Sequence, residues 1–497
     1  MGIIVKQSVK GSAYSYIGTL LGFINVGLMM PLIFSKEQIG LTNLLVSVSA
    51  IIAQLGTLGF SNSIIKLFPF FRDKEHSHHG FVKVMTLVSI LGFALTFVLF
   101  LFLKPYLIES NIEKSPLFID YIWYLPPMIL ITIFYLIYDS YCIVLFNASI
   151  GIFYKEFLMR ILITAGIVLY YFSVFDFAGF VLFYFLAYSV PTIGLLAYLR
   201  LKGEYNLKTD KGYITKPMRN ELIWVSFYGL IIGFSGIAVM NIDIYMVNHY
   251  CGLAGAGVYS TMFYFGTIIL IAGRSLKRIA SPLISEAFKK NDTALIGEIY
   301  TKSTLTQFII SIYLFLLIWS NIDSAFEIIP RYYSEGKMVV FYIGILQVLT
   351  MLSGASYEII QYSKYYRLYA YLLLVFIAMV IASNMFFIPR MGLTGAALAS
   401  MSSFIVFAVI RFFFIKSKLG LQPYNLRHLY ALIIGLVVFI ILHFIPDAPN
   451  FIIDIIIKAG ITTVFFVGPV YFLNISPDIR NAIKNYFKAG IAVFVKK

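Results

Sequence analysis

Long apolar blocks recur along the whole chain, and they constrain its fold more than any other feature. Each block holds about 20 mostly apolar residues, the length that an α-helix needs to cross about 30 Å of hydrocarbon. Hydrophobic residues make up 60% and charged residues 12% of the 497 positions, whereas a soluble domain has about 45–50% and about 25%. The blocks are continuously apolar rather than alternating, which excludes a transmembrane β-barrel. The sequence therefore predicts an all-α integral membrane protein of about fourteen transmembrane helices.

The first block, from Ala13 to Phe34, is too long for a signal peptide and lacks a small-residue cleavage site, so we expect a retained first helix. The two cysteines, Cys142 and Cys251, fall in or beside predicted spans and imply no disulfide framework. The predicted spans are 12–34, 40–60, 81–103, 118–146, 154–174, 177–199, 220–247, 253–273, 299–320, 337–360, 365–388, 391–415, 427–446 and 451–473.

The distribution of Lys and Arg orients these spans, because basic residues concentrate in cytoplasmic loops. With both termini inside, 31 of the 38 basic residues lie on the cytoplasmic side and 7 lie outside. A wrong span count would disturb this alternation, so the asymmetry also supports the number of helices. The net charge of +15 is then explained by loops facing an anionic leaflet, and no nucleic-acid partner is expected.

The strongly basic connection between spans six and seven predicts a linker between two lobes of like orientation. We predict an N-lobe of helices 1–6 at 1–205, a cytoplasmic linker at 206–218, a C-lobe of helices 7–12 at 219–416, and helices 13–14 with a cytoplasmic tail at 417–497. A faint internal repeat agrees with this division, since Gly40 opens span two and Gly257 lies at the matching start of span eight.

Four segments carry a family resemblance. The segment 388–397 (IPRMGLTGAA), preceded by Asn384, resembles the signature between helices eleven and twelve of Wzx-type polysaccharide flippases. The segments 241–246 (NIDIYM) and 255–259 (GAGVY) resemble the acid of their helix seven and the opening of helix eight. The segment 281–286 (SPLISE), with Asn-Asp at 291–292, resembles their amphipathic segment after helix eight.

The resemblance covers residues 10–415 and extends to the multidrug/oligosaccharidyl-lipid/polysaccharide exporter superfamily, which includes the MATE drug exporters and lipid II flippases. It implies MATE-like six-helix bundles around a central cavity that opens to one side of the membrane at a time. The implied substrate is an oligosaccharide on polyprenyl pyrophosphate, moved across the bacterial inner membrane for surface polysaccharides such as lipopolysaccharide O-antigen. The implied partners are this lipid-linked oligosaccharide, membrane lipids and other polysaccharide-assembly proteins.

Charged residues inside spans are candidate functional groups, because a charge at mid-bilayer costs about 2.5–3.5 kcal/mol on insertion scales. Asp243, late in span seven, is interpreted as a proton- or cation-coupling site, as the partner of a cation in the cavity, or as an acid at the outer interface. Lys66 either faces the cavity and a pyrophosphate or extends to the inner surface. Arg274, Lys277 and Arg278 share one helix face, which suits capture of an anionic lipid carrier or positive-inside anchoring.

Three further intramembrane charges are interpreted as pairing or coupling residues. Asp139 and Glu358 lie toward the inner halves of spans four and ten. We expect Asp139 to pair with Arg160, and Glu358 with a nearby base such as Lys364 or Arg367, since charges in the membrane usually pair. We predict no metal site, because the loop histidines His76, His78 and His79 have no partner ligands and are expected to be solvated.

Two other functions compete with a flippase. A MATE-like ion-coupled drug or cation antiporter would need an acidic cavity, whereas the candidate residues here are more basic than acidic. A membrane oligosaccharide polymerase would need a large outer loop bearing Arg and His, but the longest outer loop, 321–336, has one Arg and no His. No nucleotide-binding loop or nucleophile triad can be argued from residue spacing, so the sequence favours a transporter without a cofactor over an enzyme.

Overall fold

The structure, a computed structural model, describes residues 2–208, 213–481 and 484, and its regular secondary structure there is helical. The α-helices are α1 (Gly2–Phe23), α2 (Met30–Ile33), α3 (Lys36–Gly56), α4 (Phe60–Phe71), α5 (Phe81–Glu109), α6 (Pro116–Asp120), α7 (Leu125–Val144), α8 (Ala148–Ile152), α9 (Met159–Tyr171), α10 (Phe177–Leu201), α11 (Lys216–Thr267), α12 (Ile271–Lys289), α13 (Thr293–Ser320), α14 (Ile322–Ile328), α15 (Lys337–Leu352), α16 (Ser356–Tyr362), α17 (Tyr366–Leu419), α18 (Leu426–His443), α19 (Phe451–Thr462) and α20 (Gly468–Phe472). Several are joined without a loop by π-helical or 3₁₀ turns, which are Ile24–Met29, Ser77–Gly80, Ile122–Tyr124, Phe153–Leu158, Ile268–Leu270, Arg331–Gly336 and Thr463–Val467.

The predicted all-helical membrane architecture is confirmed. Twelve helical stretches among the described residues are long and apolar enough to cross a membrane. One of them, α17, is 54 residues long and covers both the eleventh and the twelfth predicted spans. The fifth predicted span, 154–174, corresponds to the π-helical turn Phe153–Leu158 and to α9, which continues it. Each of the fourteen predicted spans therefore coincides with helical structure.

Two glycines allow long helices to break without a loop. The α11 helix is interrupted at Gly252 (φ 75°, ψ 179°), and α17 at Gly392 (φ 57°, ψ −133°). Side-chain-bearing residues are excluded from such backbone conformations, whereas glycine reaches them at little cost. The breaks divide α11 into spans seven and eight and α17 into spans eleven and twelve.

Polar side chains set the beginnings of several helices. Ser35 accepts a hydrogen bond from the backbone of Gln38, whose side chain in turn accepts one from the backbone of Ser35. At the starts of α10 and α13, the side chains of Asp176 and Asp292 each accept a hydrogen bond from a backbone N–H three residues on. Such caps satisfy backbone N–H groups that would otherwise lack partners at the start of a helix.

The chain forms two compact units. The first comprises Met1–Thr261 and Arg367–Ala399, and the second comprises Met262–Tyr366 and Ser400–Lys497. An aromatic cluster that includes Phe68, Phe81 and Tyr141 lies in the first unit. In the second unit, Phe308 and Ile312 of α13 pack with Val438 of α18 and with Phe466, so the last two spans share its core. The lobe boundaries predicted from the sequence remain a prediction.

The connection after α10 docks on the loop that follows α4, and we call these contacts the loop clasp. Glu204 accepts hydrogen bonds from Lys74 at 2.8 Å and pairs with His78 at 2.9 Å. The backbone N–H of Asp73 donates to Nδ1 of His78, so Nε2 carries the proton that faces Glu204. Tyr213 donates to the carbonyl of Phe70. His78 is buried, which differs from the solvated histidine loop expected from the sequence.

Neutralising Glu204 is expected to loosen the loop clasp. Partial burial raises the pKa of Glu204, but hydrogen bonds from Lys74 and His78 outweigh it and leave that pKa below the ordinary value of 4.5. The carboxylate therefore stabilises the fold above pH 4.5, and this contribution is lost as the pH falls through the lowered pKa. We expect Glu204→Gln to lower the local stability by about 1 kcal/mol and to speed tryptic cleavage after Lys202 and Lys208.

Glu75 offers a matched control, since it lies exposed in the same loop. Glu75→Gln removes an equal charge and should leave the cleavage rate unchanged. Equal cleavage of both variants and of the unmodified protein would show that the clasp does not hold the connection.

Candidate functional site

Asp243 lies at the centre of a buried polar cluster, which we call the acid cluster. Its Oδ2 accepts a hydrogen bond from the Tyr259 hydroxyl at 2.9 Å, and its Oδ1 accepts one from Asn384 Nδ2 at 2.7 Å. Asp243 is 3% exposed, and both donors are fully buried. Both donors are neutral, so they stabilise a carboxylate by hydrogen bonding without neutralising its charge.

The breaks in the long helices bring these three residues together. Asp243 precedes the interruption at Gly252, and Tyr259 follows it on the same helix, α11. Asn384 lies on α17 before the interruption at Gly392. The flippase-like stretches around 241–259 and around 384–397 therefore both contribute to this cluster. All three residues belong to the first unit.

The acid cluster is rich in oxygen. Among the described residues, Asn384 Oδ1 is buried without a hydrogen-bond partner. It lies on the amide that donates to the Asp243 carboxylate. Carboxylate, amide and hydroxyl oxygens are the groups that bind a proton or a hard cation. Asp243 is enclosed by protein side chains, and the choice among the interpretations given for it stays a prediction.

Gly40 and Gly257 form a reciprocal backbone contact, which we call the glycine crossing. A Cβ atom on Gly40 would lie 2.0 Å from the carbonyl oxygen of Leu253, four residues before Gly257. A Cβ on Gly257 would lie 2.0 Å from the carbonyl oxygen of Lys36, four residues before Gly40. Helix α3 thus meets the second part of α11 at a separation that only glycine permits. The two glycines are those noted as equivalents in the internal repeat.

A chain of amides ties the end of the first part of α11 to the turn after α5. Asn248 Nδ2 donates to Asn111 Oδ1 at 2.7 Å, and the Ser115 hydroxyl donates to Asn248 Oδ1 at 2.8 Å. Lys114 donates to the carbonyls of His249 and Tyr250. By the expected topology, this end and the glycine crossing lie on the outer side of the membrane.

Arg160 pairs with Glu156 at 2.8 Å rather than with Asp139 as the sequence analysis expected. A Cβ on Gly22 would lie 1.4 Å from Arg160 Nη1, so the guanidinium fills a notch in α1. Asn25 Nδ2 donates to the Arg160 carbonyl at 2.9 Å. Both helices carry a π-helical turn at this contact, at Ile24–Met29 and Phe153–Leu158, a feature frequent at functional sites.

Asp139 lies against the backbone of α8. A Cβ on Gly151 would lie 1.7 Å from its Oδ1, so this approach requires glycine. Lys155, four residues after Gly151, has its Nζ 4.3 Å from the centroid of the Tyr135 ring.

Two buried charged residues of the second unit each have a side-chain atom without a hydrogen-bond partner. Among the described residues, Glu358 Oε2 and Arg411 Nη2 have no hydrogen-bond partner, and the two residues are 5% and 7% exposed. Glu358 is on the short helix α16, after a left-handed Gly354. Arg411 lies over the rings of Phe404 and Phe407. Neither is in an ion pair within the described chain, which differs from the pairing expected for Glu358.

The remaining basic candidates lie outside the acid cluster or outside the described side chains. Lys66 is exposed on α4, one turn after Asn62, whose Nδ2 donates to the Gly229 carbonyl. Arg274, Lys277 and Arg278 belong to α12, but their side chains lie outside the described residues. No group of three or more His, Cys, Asp or Glu residues in the described chain is arranged to hold a metal ion.

Several solved structures share this fold. A lipid II flippase, MurJ in an inward closed conformation, matches with a TM-score of 0.70 at 13% identity over 94% of this chain and 99% of its own. An inward-facing MATE multidrug resistance transporter matches with a TM-score of 0.66 at 14% identity over 81% of this chain and 94% of its own. A MOP-superfamily transporter from Pyrococcus furiosus matches with a TM-score of 0.59 at 14% identity over 84% and 95%. No family model and no curated protein matches the sequence.

The chain has the fold of MOP-superfamily transporters. The fold class and multi-pass membrane character expected from the sequence are therefore confirmed, and the neighbours are transporters and flippases rather than enzymes. At this identity the match concerns the fold alone, and the Wzx-type assignment remains a hypothesis.

Sequence reasoning named Asp243 as a candidate but missed the other members of its cluster. Tyr259 and Asn384 were present in the segments that carry the family resemblance, yet neither is charged, so a search for intramembrane charges passes over them. The signal that identifies Asn384 is an isolated amide in the apolar run 372–388. The amide network at Asn248 and the buried Arg411 were also missed.

Proposed function

We propose that this protein is a flippase that moves a polyprenyl-pyrophosphate-linked oligosaccharide across the bacterial inner membrane by alternating access, for surface polysaccharide assembly. The observation that carries the proposal is the fold match to a lipid II flippase over nearly the whole of both chains. The MATE structures match a smaller part of this chain, 81–84%. The difference is comparable in length to the C-terminal helices α18–α20, and it favours a lipid substrate over a drug.

In this proposal the basic side chains recruit the substrate and the acid cluster couples its movement to an ion. A polyprenyl pyrophosphate is anionic, and lysine and arginine attract it from the cytoplasmic leaflet. Lys66, Arg274, Lys277 and Arg278 are the proposed contacts. Asp243 gains or loses a proton or cation inside the membrane, where a change of one charge has a large energetic effect. Asp139, Arg160 and Glu358 are assigned structural or coupling roles.

The glycine crossing supports alternating access. At this crossing the two backbones are in direct contact, so no side chain has to be displaced between Gly40 and Gly257 when the helices separate. Hydrogen bonds of the Asn248 network add a specific but reversible contact at the same end. The proposed outer gate therefore closes through small, matched surfaces, while the substrate is taken up from the other side.

Transport by the purified full-length protein in liposomes tests this function. Vesicles would contain a polyprenyl-pyrophosphate disaccharide labelled on the sugar with a fluorophore that dithionite bleaches. Dithionite reaches only the outer leaflet, so protein-free vesicles keep the inner half of the signal. We expect this protected half to be lost with the protein present, and a labelled phosphatidylcholine to remain protected, which controls for nonspecific lipid scrambling.

Two results would contradict the proposed flippase function. A protected half that persists, with an ion gradient driving uptake of an organic cation such as ethidium, would replace the flippase by a MATE-like antiporter. In cells, deletion should leave the lipid-linked oligosaccharide in the cytoplasmic leaflet, and outward-facing oligosaccharide at normal levels would contradict the proposal.

A further inference from the structure

A cavity of about 380 Å³ lies in the second unit, outside the acid cluster. Its walls come from the last turn of α13, from α14, from the start of α15, and from the ends of α18 and α19 with their connection. This volume is in the range of small-molecule sites. By the expected topology, the cavity lies near the outer surface of the membrane, away from the termini.

Two ion pairs line the cavity. Lys337 Nζ lies 2.7 Å from both carboxylate oxygens of Asp323. Lys458 Nζ pairs with Asp447 and, at 2.8 Å, with Asp454. The side chain of Lys458 is 5% exposed, whereas those of Asp323 and Asp447 are 54% and 74% exposed. The cavity thus presents a recessed ammonium group at Lys458, a partly exposed one at Lys337, and accessible carboxylates.

These groups retain hydrogen-bonding capacity for a ligand. An ammonium group has three donors, and a carboxylate accepts at about four positions. The contacts within the described chain occupy two donors of each lysine and leave lone pairs on both exposed carboxylates. The two lysines carry two positive charges, and the exposed Asp323 and Asp447 with the buried Asp454 carry three negative ones. A ligand that carries one positive and one negative group can pair with both signs here without adding to the excess negative charge.

An apolar stripe on α18 leads to the cavity. Leu429, Ile433, Leu436, Ile440 and Phe444 are exposed, and their spacing of three and four places them on one helix face. His443, one turn after Ile440, lines the cavity together with Leu442 and Phe439. A hydrocarbon chain can lie along this stripe while its polar end occupies the cavity, an arrangement that a soluble ligand would not use.

We propose that this cavity binds the headgroup of a zwitterionic phospholipid of the phosphatidylethanolamine type from the surrounding leaflet. The phosphodiester accepts hydrogen bonds from Lys337 and Lys458, and the primary ammonium donates to Asp323 and Asp447. A quaternary choline headgroup has no N–H donor for these carboxylates, and an anionic glycerol headgroup faces them with like charge. The bound lipid supports the docking of α18 and α19 on α13.

Native mass spectrometry of the full-length protein tests this site with phosphatidylethanolamine, phosphatidylcholine and phosphatidylglycerol of identical chains. We expect phosphatidylethanolamine adducts to survive at about tenfold lower added lipid than the other two. The double variant Asp323→Asn/Asp447→Asn should lose this preference. The matched control is Glu298→Gln/Lys302→Gln, which removes an exposed i,i+4 ion pair of α13 and should leave lipid retention unchanged.

A carbodiimide experiment on the unmodified protein locates the headgroup even where the double variant fails to fold. The reagent activates a carboxylate, an amine in contact displaces it to form an amide, and the carbodiimide leaves as a urea that has taken up the elements of water. The lipid amine should therefore become amide-linked to Asp323 or Asp447, in competition with Lys337 and Lys458, whose coupling gives peptide cross-links of different mass. Peptide mapping then identifies the modified position. Equal retention of phosphatidylglycerol, an unchanged preference in a folded double variant, or lipid coupling only at other carboxylates would overturn the proposal. Each outcome is independent of whether the protein flips an oligosaccharide.

Discussion

Asp243→Asn is expected to abolish ion-dependent transport while leaving the protein folded. The substitution keeps the shape of the side chain and removes its charge. The introduced amide can still accept from Asn384 through its oxygen, and it can donate to the Tyr259 oxygen, which serves as donor or acceptor. The thermal midpoint should therefore change little, because both hydrogen bonds described for Asp243 are kept.

The transport rate should respond quite differently. A group that couples transport to an ion must exist in two charge states, and an amide has only one. We expect the rate to fall by at least about a hundredfold, the scale of a coupling free energy near 3 kcal/mol. Any dependence of the residual rate on pH or sodium should disappear. The measurement is the liposome assay, repeated over a range of pH values and sodium concentrations.

Asn384→Ser is the companion variant. It removes one hydrogen bond to Asp243 but keeps the acid, so we expect ion-dependent transport to persist with a shifted pH or sodium profile. An acid with a purely structural role would give the converse pattern, in which Asp243→Asn lowers the thermal midpoint and leaves the ion dependence intact. Wild-type rates with an unchanged ion profile in Asp243→Asn would show that the acid cluster does not couple transport.

The architecture could be predicted from the sequence because apolar length is a local property. Each span is encoded in its own residues, and the alternation of basic loops adds a check on their number. Gly252 and Gly392 illustrate the limit of that information. They separate predicted spans, but whether a glycine joins two helices directly or through a loop depends on its φ and ψ angles, which composition does not reveal.

The candidate site could be predicted only in part, because it depends on contacts between distant segments. Asp243 was identifiable by its charge, whereas Tyr259 and Asn384 became significant only when their hydrogen bonds to it were known. Arg160 shows the same limit, because its ion-pair partner was predicted wrongly. Its partner is Glu156 on the same helical stretch, and the expected choice of Asp139 failed because sequence separation does not tell which face of a helix a charge occupies.

Gly257→Ala, or the equivalent Gly40→Ala, is expected to impair transport by preventing the glycine crossing from forming. The new methyl group would lie 2.0 Å from a backbone carbonyl oxygen in either variant. A flexible side chain could rotate away, but a backbone atom cannot, so the two helices must separate by more than 1 Å to reach ordinary contact distances near 3.4 Å. Overpacking of this kind costs about 1–3 kcal/mol.

That cost falls on one state of the transport cycle. The crossing exists only where α3 and α11 are in contact, so a state in which they are apart is not penalised. A shift of about 1–3 kcal/mol changes the ratio of the two states by about five- to 150-fold. We therefore expect a transport rate reduced by about this factor in each variant. Replacing glycine by alanine usually stabilises a helix, so slower transport in these variants would not come from a weaker helix.

Gly236→Ala is the matched control, because Gly236 lies on the same helix α11 and a Cβ there would have no neighbour within 4 Å. It should transport at the unmodified rate, with equal or slightly higher stability. Gly257→Ala and Gly236→Ala thus differ in the crossing but share the change in helix propensity. Comparing them separates the effect on the gate from a general effect of alanine.

The native cysteines report on the gate directly. Cys251 is half-buried and immediately precedes the break at Gly252, whereas Cys142 is fully buried in the aromatic core. A membrane-impermeant maleimide added from outside should label Cys251 faster in Gly257→Ala and Gly40→Ala than in Gly236→Ala, and Cys142 should stay unlabelled in all of them. Since opening exposes the crossing together with the adjoining end of α11, slow labelling at normal transport rates in both variants would mean that this contact does not gate the pathway.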